Sequence, residues 1–279
     1  MLATVIAVIV AVAQVGGGLL VWVGLWLPFA IPLGIKLGWQ PFRPASPGQK
    51  LPLLIILYGL APVMLWGWSR WRGTGWAELG LGNGGDLGRG IGLGWGIAIA
   101  GLLLITALRL GQGWLAPIPE ETSRLGLLHR LGIALALIPL AGFLGGIEEL
   151  VFRGWMQTQL QTALAPWIAA AIASSLFALA HLLWDGRAGL VQQPGLWLLG
   201  LVLVLARWLD QGQIGLAWGL HGGWVWGLAC LDAVVPLGVT GKGPSWLMGR
   251  PQQPLTGVLD GLLLLGTALT IWGLSRLST

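Results

Sequence analysis

The sequence predicts an all-α protein, a polytopic transmembrane helical bundle of about eight spans. Three observations carry that prediction. Of 279 residues 56% are hydrophobic and only 9% charged, with a mean hydropathy of +0.80, whereas a soluble domain would carry about 25% charged residues. Several apolar runs reach the ~20 residues that cross a bilayer as a helix. The runs are continuous and lack the two-residue alternation of a membrane barrel.

The runs follow one another with clear punctuation. The first, Val5–Leu33, is long enough to tilt or kink, with Pro28 and Pro32 near its end. The residues before it are not basic, so a cleaved signal peptide is not expected. A proline-rich basic stretch, Lys36–Lys50, leads to the second run, Leu51–Trp68. Ser69–Gly90, with Arg70, Arg72 and a glycine-rich turn around Gly82–Gly85, precedes the third, Ile91–Leu110. The fourth, Leu131–Ile147, should continue as a helix through Glu148–Leu160, because nothing breaks it before Pro166. Pro166–Leu183 is the fifth run, and Trp184–Pro194 reads as a polar loop. Gly195–Trp208, short for a span, Ile214–Val235 and Leu255–Leu274 complete the set, with a polar connection at Pro236–Pro254 before the last. No soluble appendage is apparent, so residues 1–279 read as a single, multi-pass integral membrane domain.

Charge and composition exclude several classes. The net charge is +5 and the isoelectric point near 10.4, yet the basic residues are scattered through short loops and form no stripe. No nucleic acid partner is expected. Lys36, Arg43, Lys50, Arg124, Arg130, Arg187, Lys242 and Arg250 follow odd-numbered spans, which leans by a small margin towards both termini outside the cytoplasm. The 19 tryptophans cluster towards run ends, where indoles favour the interface. The 47 glycines allow close helix packing. Cys230 is the sole cysteine, which excludes an intramolecular disulfide and a cysteine metal cluster.

Against this apolar background, ionisable residues inside spans mark function. Glu148 and Glu149 close the fourth run, and Arg153 follows one helical turn later. Glu149 and Arg153 are four apart and face each other on a helix, with the acid on the favoured N-terminal side. Glu148 points about 100° away, free to face a cavity. A buried ion-pair cluster that only fixes packing is the plainer reading, but it would need one glutamate rather than two. Two of the three histidines also lie in spans: His181 near the end of the fifth and His221 inside the seventh. Each alone reads as a packed histidine. Together with Glu148, on three different helices, they supply two imidazoles and a carboxylate for activating water. His129 reads as a loop residue, Asp232 and Asp260 as solvated groups near span ends, and Glu120 and Glu121 as part of a polar loop.

This pattern resembles the CPBP family of intramembrane proteases, the CAAX proteases and bacteriocin-processing enzymes also called the Abi family. Glu148-Glu149-Leu150-Val151-Phe152-Arg153 matches its first motif and Phe177-Ala178-Leu179-Ala180-His181 its second. Gly219-Leu220-His221-Gly222-Gly223-Trp224 is similar to the region of its third, and the resemblance covers about residues 131–228. It implies an intramembrane endopeptidase acting on a peptide or protein substrate. Glu148 would be the general base, His181 and His221 would position water, and Glu149, Arg153 and Phe177 would support the site. The same Glu148, His181 and His221 set is compatible with a divalent metal such as zinc without requiring one. The sequence departs from the family at Val225, where an asparagine is usual; valine cannot donate a hydrogen bond. Trp224 or Trp226 could offer an indole N–H instead.

Two other readings compete with proteolysis. A non-catalytic scaffold or immunity protein of the same fold would bind a partner protein without cutting it. A proton-coupled transporter would use the acids as a relay, but no internal repeat supports one. Motifs of other intramembrane proteases are missing: there is no His-Glu-x-x-His or Gly-x-Ser-Gly, and Asn83-Gly84-Gly85-Asp86 is not Gly-x-Gly-Asp.

Overall fold

In the computed structural model, residues 1–82, 84–118, 126–250 and 253–277 are described. Glu120, Glu121, Arg124 and Asn83 lie outside them. Helices α1 (Leu2–Leu37), α2 (Pro47–Arg72), α3 (Gly84–Gly111) and α4 (Leu127–Glu149) form in turn. The last continues through a π-helical turn, Leu150–Met156, into α5 (Gln157–Gln161). Next come α6 (Pro166–Ala180), α7 (Leu182–Asp185), α8 (Gln193–Leu209), α9 (Gly215–Ala233), the short α10 (Ser245–Met248) and α11 (Val258–Leu277). A two-stranded antiparallel pair, β1 (Leu115–Pro117) with β2 (Leu237–Val239), is the only sheet among the described residues.

Each predicted run becomes a helix. Among the described residues, six helical stretches are long and apolar enough to cross a membrane, and the fifth and sixth runs share one of them, Pro166–Leu209. Helix α9, rich in glycine and tryptophan, forms but is not among the six. The protein is therefore an integral, multi-pass helical bundle. Boundaries shifted where local signals compete with hydropathy. Pro47 at the first turn and the Ser46–Gln49 capping box start α2 earlier than Leu51. The loop predicted over Trp184–Pro194 is coiled almost throughout, into α7 and a 3₁₀ turn at Gly186–Gln192. His129 is exposed on the first turn of α4 rather than on a loop.

The helices fall into two compact units, Met1–Gly84 with Ile147–Val204 and Gly85–Gly146 with Leu205–Thr279. In the first unit, α1 buries one stripe of Ala11, Val15, Gly18, Trp22, Trp26, Ala30 and Gly34 at helical spacing. Its remaining apolar residues face outward, as lipid solvent allows. The Trp22 indole donates to the Leu57 carbonyl at 2.7 Å and Trp26 to that of Leu53 at 3.0 Å, strapping α1 to α2. A Cβ on Gly18 would lie 2.4 Å from the Trp155 ring, so glycine is what admits that indole.

In the second unit, α9 is approached backbone to backbone. A Cβ on Gly219 would meet the Ile91 carbonyl oxygen at 2.1 Å, and one on Gly94 the Leu216 oxygen at 2.4 Å. On another side Gly145 meets Gly222, where an added Cβ would lie 2.9 Å from the amide nitrogen. Trp218 and Trp226 donate to the carbonyls of Gly142 and Ala134 at 2.7 and 2.8 Å, tying α9 to α4. Asp260 is not solvated as the sequence suggested: it pairs with Arg109 at 2.8 Å, joining α11 to α3. The turn residue Asp210 accepts the Leu216 amide at 2.9 Å at the start of α9, and burial raises its carboxyl above the usual range, with Asp86 adding to the shift and the Leu216 bond opposing it.

Candidate active site

Glu148 and Glu149 stand at the end of α4, where the helix widens into its π turn. Such turns are uncommon and often accompany function. Glu149 and Arg153 pair at 2.9 Å with 0% and 1% of their side chains exposed. Arg153 also donates to the Gly200 carbonyl on α8 at 3.3 Å and lies 4.4 Å from the centroid of the Phe177 ring on α6. One guanidinium thus joins three helical segments. The close approach of α6 and α8 at that level rests on Gly200, where a Cβ would press on Ser174 at 2.6 Å.

Phe177 is fully buried. Phe152 meets it edge-on at 5.3 Å and His181 at 4.8 Å, so the ring separates the ion pair from the imidazole. His181 ends α6, and its Nδ1 lies 2.9 Å from the Phe177 carbonyl oxygen. A carbonyl can only accept, so Nδ1 carries the proton and donates. In the neutral ring this leaves the Nε2 lone pair available to water or to a ligand.

Glu148 is partly exposed and lines a small recess that opens outward. Tyr58 and His181 share that lining, and the Tyr58 hydroxyl donates to Glu148 Oε1 in a short hydrogen bond. Leu54, Phe152, Ala180 and Trp184 form the apolar walls, and Lys50 completes the recess. A carboxylate in such a setting is held in orientation by the phenol while it remains within reach of entering water.

His221 belongs to the second unit, on α9, and is 5% exposed. The glycines that bring α3 and α4 against α9 flank it in sequence. Trp224, one turn further on, is buried, and its indole N–H has no hydrogen-bond partner among the described residues. Trp226 is committed to Ala134, so of the two indoles only that of Trp224 remains an available donor.

Tyr58, Lys50 and Trp184 were missed by the sequence reading. Tyr58 is the only tyrosine of the chain and sits inside an apolar run, and that singularity was the available signal. Neither unit by itself gathers three His, Cys, Asp or Glu side chains in a metal-holding group among the described residues. In the first unit Glu148 and His181 are one ligand short of the three that a catalytic zinc takes from protein.

Residues 104–227 match the family model described as Rce1-like, type II CAAX prenyl endopeptidase. That model is one of the CPBP family, and the match covers less than half of the chain. The Rce1-like match takes in Glu148, Glu149, Arg153, Phe177, His181 and His221, together with Val225. Tyr58 and Lys50 lie outside it and belong to the part of the chain that the Rce1-like model does not reach. No curated protein and no solved structure matches the chain.

Proposed function

We propose that this protein is an intramembrane endopeptidase that hydrolyses a peptide bond in or beside the bilayer, with Glu148 as general base. The observation that carries the reading is that Glu148 and His181 line one recess, the acid oriented by Tyr58 and the imidazole by the Phe177 carbonyl. Glu148 takes a proton from water as the oxygen attacks the peptide carbonyl, and returns it to the leaving amine as the C–N bond breaks. Tyr58 holds the carboxylate in place through its Oε1. Glu149 and Arg153 fix the helix end on which Glu148 stands. The family resemblance assigns His221 to the same reaction, as a second imidazole positioning water or the carbonyl. A prenylated CAAX-type peptide is the substrate class that the family's description suggests.

Purified protein in liposomes should cut a prenylated CAAX-type peptide or a membrane-embedded peptide, read by mass spectrometry. General base catalysis contributes about 10²–10⁴-fold, so Glu148→Gln should lower the rate by at least about 10². Val225 favours a second reading, a partner-binding protein of the same fold that does not cut. That reading predicts no cleavage by wild type and a cellular phenotype that Glu148→Gln leaves unchanged.

A further inference from the structure

Lys50 stands in the first turn of α2 and lines the recess with Glu148 and His181. Among the described residues it is the only lysine or arginine in that lining. Its Nζ lies 3.5 Å from Asp185 Oδ1, and both side chains are 30% exposed. That separation is an ion pair rather than a tight hydrogen bond. The two segments that carry the pair are held together without it. Ala45 donates to the Trp184 carbonyl at 2.8 Å and Phe42 to that of Leu183 at 2.9 Å. Gly186 packs on the Phe42 carbonyl so closely that a Cβ there would lie 2.3 Å from the oxygen. The ion pair therefore adds little to this junction, and a half-exposed pair of this kind is weak.

We propose that Lys50 is an exchange site for a carboxylate of the peptide, held by Asp185 at rest and taken over by the substrate. The inference rests on the endopeptidase reading. The recess offers an incoming anion one favourable place: Leu54, Phe152, Ala180 and Trp184 are apolar, the Tyr58 hydroxyl and the His181 Nδ1–H are given to Glu148 and the Phe177 carbonyl, and Glu148 repels a second carboxylate. A peptide with a carboxylate on its leaving fragment enters with that group at Lys50, which turns its amide bonds towards Glu148. Asp185, already partly exposed, passes to water when displaced. The carboxylate can be a chain terminus or an acidic side chain near it.

The test uses the full-length protein in liposomes and three peptides of one sequence, ending in a free acid, in an amide, or in an amide with glutamate as the last residue. Wild type should show a KM about tenfold lower for the acid than for the amide, as a charge-assisted hydrogen bond supplies. Lys50→Met should erase that preference by raising KM for the acid to that of the amide. Asp185→Asn should lower KM for the acid several-fold and leave the amide unchanged, because it removes the competitor. If the glutamate-ended amide behaves like the acid, the result supports Lys50 with a side-chain carboxylate; if it behaves like the amide, it supports Lys50 with the terminus. Equal KM for acid and amide in wild type would overturn the proposal. So would Lys50→Met and Asp185→Asn raising KM alike, the mark of a merely structural pair. Binding of the same peptides to Glu148→Gln protein, by fluorescence anisotropy, separates this from the proteolysis reading. Absence of any cleavage would remove the endopeptidase, while equal binding of acid and amide would remove the role of Lys50.

Discussion

The Glu149–Arg153 pair allows a prediction with a sign for every variant. Both groups are withdrawn from solvent, so removing one partner takes from the other the ion that lies 2.9 Å away, a loss of about 3–5 kcal/mol. The two single variants should not be equal. In Glu149→Leu the guanidinium still has Glu148 as a second attracting charge. Arg153→Met, in contrast, also gives up the contact with Phe177, about 0.5–2 kcal/mol, and the bond to Gly200. The double variant replaces the pair with apolar side chains of similar reach, which is often close to neutral. The double-mutant cycle should therefore return a coupling of several kcal/mol, with the double variant more stable than either single one. Equilibrium unfolding in mixed micelles reads all four proteins. Single variants within about 0.5 kcal/mol of wild type, as for solvated surface pairs, would refute the reasoning. So would a double variant that is the sum of the two.

Four further outcomes follow from particular contacts. Tyr58→Phe removes the hydroxyl on Glu148 and should lower kcat about tenfold with an unchanged unfolding transition, read by peptide cleavage and circular dichroism. Gly219→Ala places a Cβ 2.1 Å from the Ile91 carbonyl and should lose about 1–3 kcal/mol. Gly96→Ala, where nothing lies within 4 Å, should be neutral or gain about 0.5–1 kcal/mol, and thermal unfolding of the pair compares them. Asp210 binds its proton more tightly when folded, so its contribution is fully present below about pH 3.9 and is lost as pH rises through the higher folded value; Asp210→Asn keeps an oxygen for the Leu216 amide and should flatten that part of the stability–pH curve.

Hydropathy made the helices legible because in lipid the length and apolarity of a run nearly dictate a helix. All eight runs formed, and the extension of the fourth beyond Glu149 followed from the absence of any breaker before Pro166. The facing of Glu149 and Arg153 was readable from a spacing of four. Other features depended on contacts between distant segments, which periodicity does not encode. The Tyr58 bond to Glu148 spans ninety residues. Lys50 read as one basic loop residue among several until Ala45 and Phe42 were seen to bond the Trp184 and Leu183 carbonyls. Asp260 read as solvated because its partner, Arg109, is 151 positions away. The π turn at Leu150–Met156 has no proline or glycine pair to announce it, and only the backbone reveals it.

The central claim, that Glu148 activates water for peptide hydrolysis, is tested most directly by cleavage in oxygen-18 water. Wild-type protein in liposomes should yield a new C-terminal carboxylate carrying one oxygen-18 atom, and Glu148→Gln protein with an unchanged unfolding transition should yield essentially none. Labelled product formed by Glu148→Gln at the wild-type rate would contradict it.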